Sequence, residues 1–137
     1  MADFLSTLAI AASGLRAQSG RMRVISENLA NADSTGQTPT DDPYRRQIPS
    51  FTSSFDRALG AEIVRLGRIM PDTSDFEMRL EPGHPAADAN GYVRYPNVNP
   101  LIEAVDLQEA QRSYDANLNV ITATRDMVES TIAILKR

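Results

Sequence analysis

Proline is confined to the middle of this chain, and that restriction limits the fold more than any other sequence feature. All eight prolines and five of the seven glycines fall within residues 33–100. Residues 101–137 contain neither, and residues 1–32 contain two glycines only. Proline lacks a backbone N–H and its ring obstructs the preceding helical turn. The distribution therefore predicts two long helical arms, 1–32 and 101–137, on either side of a turn-rich segment, 33–100.

Both arms repeat apolar residues at steps of three and four, the spacing of a coiled-coil seam. In the first arm, large residues alternate with small ones such as Ala12 and Ser19. We predict a mainly α-helical fold in which the two arms pair as an antiparallel coiled coil within one molecule. The predicted seam comprises Leu5, Leu8, Leu15, Met22, Leu29, Leu107, Tyr114, Leu118, Ile121, Val128, Ile132 and Leu135.

Each arm also carries a second apolar face, which a single partner helix cannot cover. Periodicity alone is equally compatible with a monomeric helical hairpin that buries one face and with a polymer subunit that buries both. We predict that the second face is an interface between subunits. It comprises Phe4, Ile10, Val24, Ile25, Val120, Met127 and Ile134.

Residues 33–100 have the composition of loops and short strands. Residues 34–43 are rich in Ser, Thr, Asp, Gly and Pro, which is typical of a loop. Residues 63–69, 76–80 and 92–94 are β-branched or partly alternating and predict strands. We therefore expect a small β-rich insert between the two helices.

The composition excludes several kinds of functional site. The chain has no cysteine and a single histidine, His84, so neither a thiolate site nor a multi-histidine metal site can form. With 14 basic and 18 acidic residues the net charge is −4, which argues against nucleic-acid binding through net charge. Asp88 and Asn90 match part of a calcium loop, but its first acid and its later glutamate are missing. We predict no catalytic residue, no metal and no cofactor.

Two other kinds of function remain open at this level. Asp72, Asp75 and Asp88 are the candidate acids of a cell-wall hydrolase, which would need paired carboxylates. A monomeric helical adaptor or chaperone would use the same apolar stripes as a binding groove. We expect the arginines at 45–46, 65 and 68 to pair with neighbouring acids rather than to bind an anion.

The amino-terminal region does not have the charge order of a secretory signal. Such a signal carries positive charge ahead of its apolar stretch. Here Asp3 precedes the stretch, and Arg16, Arg21 and Arg23 follow it. No apolar run approaches the roughly 20 residues that span a bilayer. We expect neither a cleaved signal peptide nor a membrane span.

Four stretches of the chain resemble the bacterial flagellar axial proteins. Residues 13–18 and 26–35 are similar to the helix and polar turn at the start of that family, and residues 82–99 and 105–117 resemble its proximal-rod type. The seven-residue excursion 36–42 departs from the general family pattern but fits that type. The signature residues are Ser13, Gly14, Asn28, Leu29, Ala30, Asn31, Gly83, His84, Pro85, Gly91, Tyr92, Tyr95, Pro96 and Asn97.

The resemblance implies a structural subunit rather than an enzyme. Members of this family pair residues equivalent to 1–32 and 101–137 into an inner coiled-coil domain and stack helically into the rod, a drive shaft that encloses the export channel. The implied partners are copies of the chain itself, proximal and distal rod subunits, the adaptor between the MS ring and the rod, and the flagellar type III export apparatus. The implied location is the basal-body rod in the periplasm, reached without a cleaved signal. Another axial subunit of the rod or hook type is the alternative within the family.

Overall fold

Two long helices flank six short strands in the computed structural model, which describes residues 2–136 apart from the side chain of Ala2. Met1 and Arg137, at the outer ends of the predicted arms, lie outside the described residues. Helix α1 spans Ala2–Ala30 and helix α2 spans Pro100–Leu135. The prediction of a mainly helical chain with a small β-rich insert is confirmed. The strands are β1 (Gln47–Ile48), β2 (Phe51–Asp56), β3 (Ala61–Leu66), β4 (Met70–Pro71), β5 (Glu77–Leu80) and β6 (Tyr92–Tyr95).

The strands form three separate antiparallel pairs, β1 with β4, β2 with β3 and β5 with β6. The longest pair, β2–β3, closes through a tight turn for two local reasons. The Asp56 carboxylate accepts the N–H groups of Ala58 and Leu59 at 2.9 and 3.2 Å. Gly60 has a φ of +63°, a left-handed conformation that residues with a Cβ rarely adopt. An Asx-type turn and a glycine therefore set the hairpin.

Three predicted strands are present with shifted ends. The stretch predicted at 63–69 is β3, 76–80 is β5, and 92–94 is β6. Strand β2 was not predicted. Its residues 51–55 are all exposed, so it lacks the alternation of buried and exposed positions from which a strand can be recognised.

Asparagine side chains define the inner ends of both helices. At the start of α2, Asn99 Oδ1 accepts the N–H groups of Leu101 and Ile102 at 3.0 and 3.4 Å, and Pro100 occupies the first helical position. At the end of α1, Asn31 Nδ2 donates to the Glu27 carbonyl at 2.8 Å and satisfies one of the last free carbonyls.

The chain divides into two compact units, to each of which both helices contribute. The terminal unit comprises the described residues up to Met22, Ser50–Arg68 and the residues from Gln108 onward. The central unit comprises Arg23–Pro49 and Ile69–Leu107. Val93, Ala86 and Tyr95 form an apolar core in the central unit. Across residues 2–136, neither helix combines the length and the apolar character needed to cross a membrane.

Candidate assembly surfaces

A buried asparagine joins three segments of the central unit. Asn28 is fully buried. Its Nδ2 donates to the Gln47 carbonyl at 2.8 Å and to the Glu103 carboxylate at 3.2 Å. Its Oδ1 accepts the Tyr44 hydroxyl and the Gln47 N–H, both at 2.9 Å. All four hydrogen bonds that an amide side chain can make are therefore satisfied within the chain.

Arg46 neutralises the acids beside Asn28. Its Nε donates to Glu103, whose side chain is 1% exposed, and its Nη atoms lie 3.3 Å from Asp72 and 3.8 Å from Asp106. A buried carboxylate needs such a partner because its desolvation is otherwise too costly. Burial by itself lowers the pKa of Arg46, but the hydrogen bonds to Glu103 and Asp72 outweigh it and raise the pKa overall. The guanidinium therefore remains charged.

The pKa of Tyr44 is also raised, first by burial of the phenol and then by the negative charges of Glu27 and Glu103. Its hydroxyl consequently stays protonated and can donate to Asn28.

A second asparagine of the signature holds the same segment from the other side. Asn97 Oδ1 accepts the Arg46 N–H at 2.8 Å, and its Nδ2 donates to the Asp72 carbonyl at 3.1 Å and to Ser74 Oγ at 2.9 Å. The sequence identified Asn28 and Asn97 but missed Glu103. The only sequence signal for Glu103 was an acid among the apolar residues at the start of α2. That signal is insufficient, because the burial of Glu103 depends on tertiary contacts.

The other signature residues of the central unit are also engaged locally. His84 accepts the Ala86 N–H at Nδ1 (3.0 Å), and its Nε2 lies 3.3 Å from Thr35 Oγ1. The Tyr95 hydroxyl donates to Glu81 at 3.0 Å. Gly91 has a φ of +84°. Gly91 and Pro96 are buried, Leu29 and Asn31 are half-buried, and Ala30, Gly83, Pro85 and Tyr92 are exposed.

Two of the acids considered for a hydrolase, Asp72 and Asp88, are hydrogen-bonded within turns. Asp72 Oδ1 accepts the Ser74 N–H at 2.9 Å, and this bond, together with one from the Ser74 side chain and with Arg46, lowers the pKa of Asp72. Asp88 Oδ1 accepts the N–H groups of Asn90 and Tyr92 within its turn. Both carboxylates therefore stabilise turns. Among the described residues, no cluster of three or more acidic or histidine side chains is arranged to hold a metal ion.

Residues of α1 and α2 lie near one another at three levels within the terminal unit. Phe4 and Val128 line one apolar cleft, a Cβ at Gly14 would lie 2.8 Å from Asn117 Oδ1, and Arg21 lies 3.5 Å from Glu109. As the residue number in α1 increases, the residue number of its neighbour in α2 decreases, so these pairs have an antiparallel order. The α1 members of the three pairs, Phe4, Gly14 and Arg21, precede Leu5, Leu15 and Met22 of the predicted seam by one residue each.

The residues of the predicted seam are half-buried or exposed. The half-buried members are Leu8, Leu15, Met22, Leu29, Leu107, Tyr114, Ile121 and Val128, and the exposed members are Leu5, Leu118, Ile132 and Leu135. Fully buried positions are occupied by smaller side chains. In α1 they include Ala11, Ser13 and Ala17, and in α2 they include Ala110 and Thr124, which lie three residues from Leu107 and Ile121.

The residues of the predicted interface fall into two groups. Val24 and Ile25 are 1% and 2% exposed and retain almost no surface for a neighbouring subunit, and Phe4 is half-buried. The exposed group comprises Ile10, Val120, Met127 and Ile134, at 42%, 44%, 51% and 74% exposure.

The β2–β3 hairpin packs against another side of α1. Ser13 Oγ accepts the Val64 N–H at 3.2 Å and donates to the Ile10 carbonyl at 2.7 Å. A Cβ at Gly20 would lie 2.8 Å from Leu66 Cδ2. Ser13 and Gly20 are seven residues apart and lie on one face of the helix. Small residues at both positions allow the strand to approach closely.

Comparison with known proteins gives a consistent result along the chain. Residues 8–36 match the family model described as flagella basal body rod protein, and residues 89–134 match that described as flagellar basal body rod FlgEFG protein C-terminal. The chain is 56% identical to flagellar basal-body rod protein FlgC of Agrobacterium fabrum, with 93% of this chain and 91% of that protein covered. It is 39% identical to FlgC of Bacillus subtilis (95% and 97% covered) and 38% identical to FlgC of Salmonella typhimurium (95% and 96% covered).

Proposed function

The chain belongs to the family of the flagellar basal-body rod protein FlgC and is a structural subunit of that rod, and from this premise we propose how its surfaces serve in assembly. The subunit polymerises helically in the proximal rod with copies of itself. Its other partners are the proximal and distal rod subunits and the adaptor to the MS ring. The polymer transmits motor torque and encloses the export channel. No catalytic role is part of this proposal.

The two helices form the antiparallel coiled coil of an inner domain, composed of residues 1–32 and 101–137, with residues 33–100 as its insert. The antiparallel order of the neighbouring positions Phe4 and Val128, Gly14 and Asn117, and Arg21 and Glu109 supports this pairing. We place the seam of α1 one residue before the apolar stripe predicted from sequence. The small residues Ala11 and Gly14 then lie at the helix–helix contact, and Leu8, Leu15 and Met22 flank it.

The observation that carries the assembly proposal is an exposed apolar stripe on α2. Val120, Met127 and Ile134 are spaced by seven residues, so they share one face of the helix. Full burial of side chains of this size contributes about 1.5–3 kcal/mol each. We propose that this stripe, with Ile10 of α1, contacts neighbouring subunits. Val24 and Ile25 are excluded from this set because they are already buried.

The assembled rod becomes stiff when neighbouring subunits pack against these exposed faces. Interlocked side chains at interior density have low compressibility, and a rod that transmits torque must resist twisting. Contacts between two different patches do not close into a ring unless the rotation fits, so they extend a helical filament.

Export by the flagellar type III apparatus, without a cleaved signal peptide, completes the proposal. The absence of cysteine in the sequence is suited to a chain that passes unfolded into an oxidising periplasm.

The test introduces one charge on the stripe and one elsewhere on the same helix. Val120→Asp and Met127→Asp should reduce rod incorporation to less than a tenth of wild type and abolish swimming, because each would bury a carboxylate at a subunit contact. Thr122→Asp adds the same charge at an exposed position about 140° around the helix from Met127 and should remain motile. Incorporation is measured by immunoblotting of purified basal bodies, and export by secretion into the medium. Wild-type motility of both stripe variants would contradict the proposal.

A further inference from the structure

Two arginines share a cleft in the terminal unit. The cleft has a volume of roughly 320 Å³ and lies between α1 and β3. It is lined by Ser13, Arg16 and Ala17 from α1 and by residues 63–66 from β3, which include Arg65. Arg16 and Arg65 are both exposed.

Neither arginine is neutralised by an acid of the described chain, a feature that they share with Arg45, Arg57, Arg68 and Arg112. Ion pairs engage Arg21, Arg23, Arg46, Arg79, Arg94 and Arg125. Within the part of the chain that the structure describes, Arg16 and Arg65 have neither an acid within 4 Å nor a side-chain hydrogen bond. Of the four arginines expected to pair with neighbouring acids, Arg46 does so, whereas Arg45, Arg65 and Arg68 have no acid within 4 Å among the described residues. Two like charges at one cleft favour an anionic ligand, and guanidinium groups bind carboxylates with two parallel hydrogen bonds.

The distribution of charge along the chain indicates where such carboxylates are found. The terminal unit has nine basic and seven acidic residues, a formal charge of +2, whereas the central unit has five basic and eleven acidic residues, a formal charge of −6. Several acids of the central unit, among them Asp41, Asp75 and Asp88, have no cation within 4 Å in the described part of the chain. The two units are thus of opposite charge.

We propose that the Arg16–Arg65 cleft binds carboxylates of the central unit of a second copy of this chain. The inference rests on the proposed function, since it assigns one contact of the assembled rod. A basic cleft on one unit and acidic residues on the other form a heterologous contact, the kind that continues from copy to copy. Charge pairs of this type set the register between subunits and contribute to specificity.

Charge reversal at the cleft tests whether it is needed. Arg16→Glu/Arg65→Glu should lower incorporation into purified basal bodies at least tenfold. The matched control, Arg57→Glu/Arg112→Glu, changes two exposed arginines of the same unit that do not line the cleft, and it should retain at least half of wild-type incorporation. Circular dichroism of both purified variants checks that helix content is kept. Equal incorporation of the two variants would overturn the inference.

Cross-linking identifies the occupant. Because the chain lacks cysteine, Arg68→Cys, adjacent to the strand that lines the cleft, carries the only thiol and can be labelled with a benzophenone in isolated basal bodies. Cells express this variant together with an epitope-tagged wild-type copy. The expected product is a band of twice the subunit mass that contains the tag, with the cross-linked peptide derived from residues 23–49 or 69–107.

Each other result has a defined meaning. Cross-links only to a different protein, only to the terminal unit of a second copy, or to no protein would overturn the inference. Millimolar inorganic phosphate that binds wild type but not Arg16→Glu/Arg65→Glu, without the interchain band, would assign the cleft to a free anion. If Val120→Asp and Met127→Asp block incorporation while Arg16→Glu/Arg65→Glu does not, the proposed function stands and this inference fails.

Discussion

Removal of Arg46 should destabilise the central unit more than any other single arginine substitution. Arg46→Ala leaves the Glu103 carboxylate, whose side chain is 1% exposed, with the Asn28 amide at 3.2 Å as its remaining donor. Breaking a buried ion pair by removing one partner costs about 3–5 kcal/mol, since the other charge stays desolvated. We expect Arg46→Ala to lower the free energy of unfolding by an amount within that range.

Variants of the Arg46–Glu103 pair should differ in stability in a defined order. Glu103→Gln should cost less, about 1–2 kcal/mol, because Arg46 keeps Asp72 and Asp106 as partners and is 21% exposed. The double variant Arg46→Ala/Glu103→Gln carries no unpaired buried charge and should be more stable than Arg46→Ala by at least about 1 kcal/mol. Arg23→Ala is the control, since the Arg23–Glu27 pair is 4.0 Å apart and exposed, and such pairs contribute about 0.3–0.5 kcal/mol.

Urea unfolding followed by tyrosine fluorescence measures these differences. Three of the four tyrosines, Tyr44, Tyr92 and Tyr95, belong to the central unit, so the signal reports mainly on it. With an m-value of about 2 kcal/mol per M, Arg46→Ala should lower the midpoint by about 1.5–2.5 M. The prediction fails if the midpoint of Arg46→Ala lies within 0.3 M of that of Arg23→Ala, a difference of about 0.6 kcal/mol at that m-value. It also fails if the double variant is less stable than Arg46→Ala.

Two further predictions concern single contacts. The pKa of Tyr44 is raised in the folded state, so its contribution to stability is fully present below the unfolded value of about 10 and is lost as pH rises through the folded value. At neutral pH, Tyr44→Phe should therefore have a free energy of unfolding about 0.5–1.5 kcal/mol lower than that of wild type. Its urea midpoint should fall less than the wild-type midpoint between pH 10 and 12. A midpoint that falls as much as in wild type would count against this explanation. Gly14→Ala gains about 1 kcal/mol in helix propensity, but its Cβ would lie 2.8 Å from Asn117 Oδ1. Gly14→Ala/Asn117→Ala should therefore melt at a higher temperature than either Gly14→Ala or wild type, and a double variant that melts below Gly14→Ala would show that Asn117 is not the obstacle.

The outline of the fold could be predicted because it depends on local chemistry. Proline cannot occupy a helix interior, so its distribution located α1 and α2 to within a few residues. Asn99 and Pro100 mark the start of α2 through capping, which needs no distant contact. Strand β2 was missed because it is exposed along its length, and a strand without a buried face has no alternating pattern.

The position of the helix–helix contact was harder to predict for a geometric reason. The seam predicted from the sequence consists mainly of large apolar residues. In the terminal unit Gly14, which precedes the predicted seam residue Leu15, also lies beside α2, and its missing side chain leaves room for Asn117. A shift of one residue rotates the contact by about 100° around a helix, so a stripe can have the correct period and still point to the flank.

The network around Arg46 could not be predicted because it is assembled from distant segments. Asn28, Gln47, Asp72 and Glu103 are 19–31 residues apart in consecutive order, and helical or strand periodicity does not relate them. The family resemblance identified Asn28 and Asn97 without a reason for either. Their hydrogen bonds supply that reason, because both fix the position of the segment that carries Arg46.

Hydrogen-bonding capacity separates residues that build the subunit from residues that can join subunits. Asn28 has used all four of its hydrogen bonds within the chain, and Asn97 and Tyr95 are likewise bonded internally, so they have little left to offer a neighbour. Val120, Met127 and Ile134 expose apolar area, and Arg16 and Arg65 carry unneutralised charge within the described chain. Substitutions in the first group should therefore lower the free energy of unfolding of the single subunit. Substitutions in the second group should leave that free energy nearly unchanged and act on assembly, because the interactions they remove form only between copies.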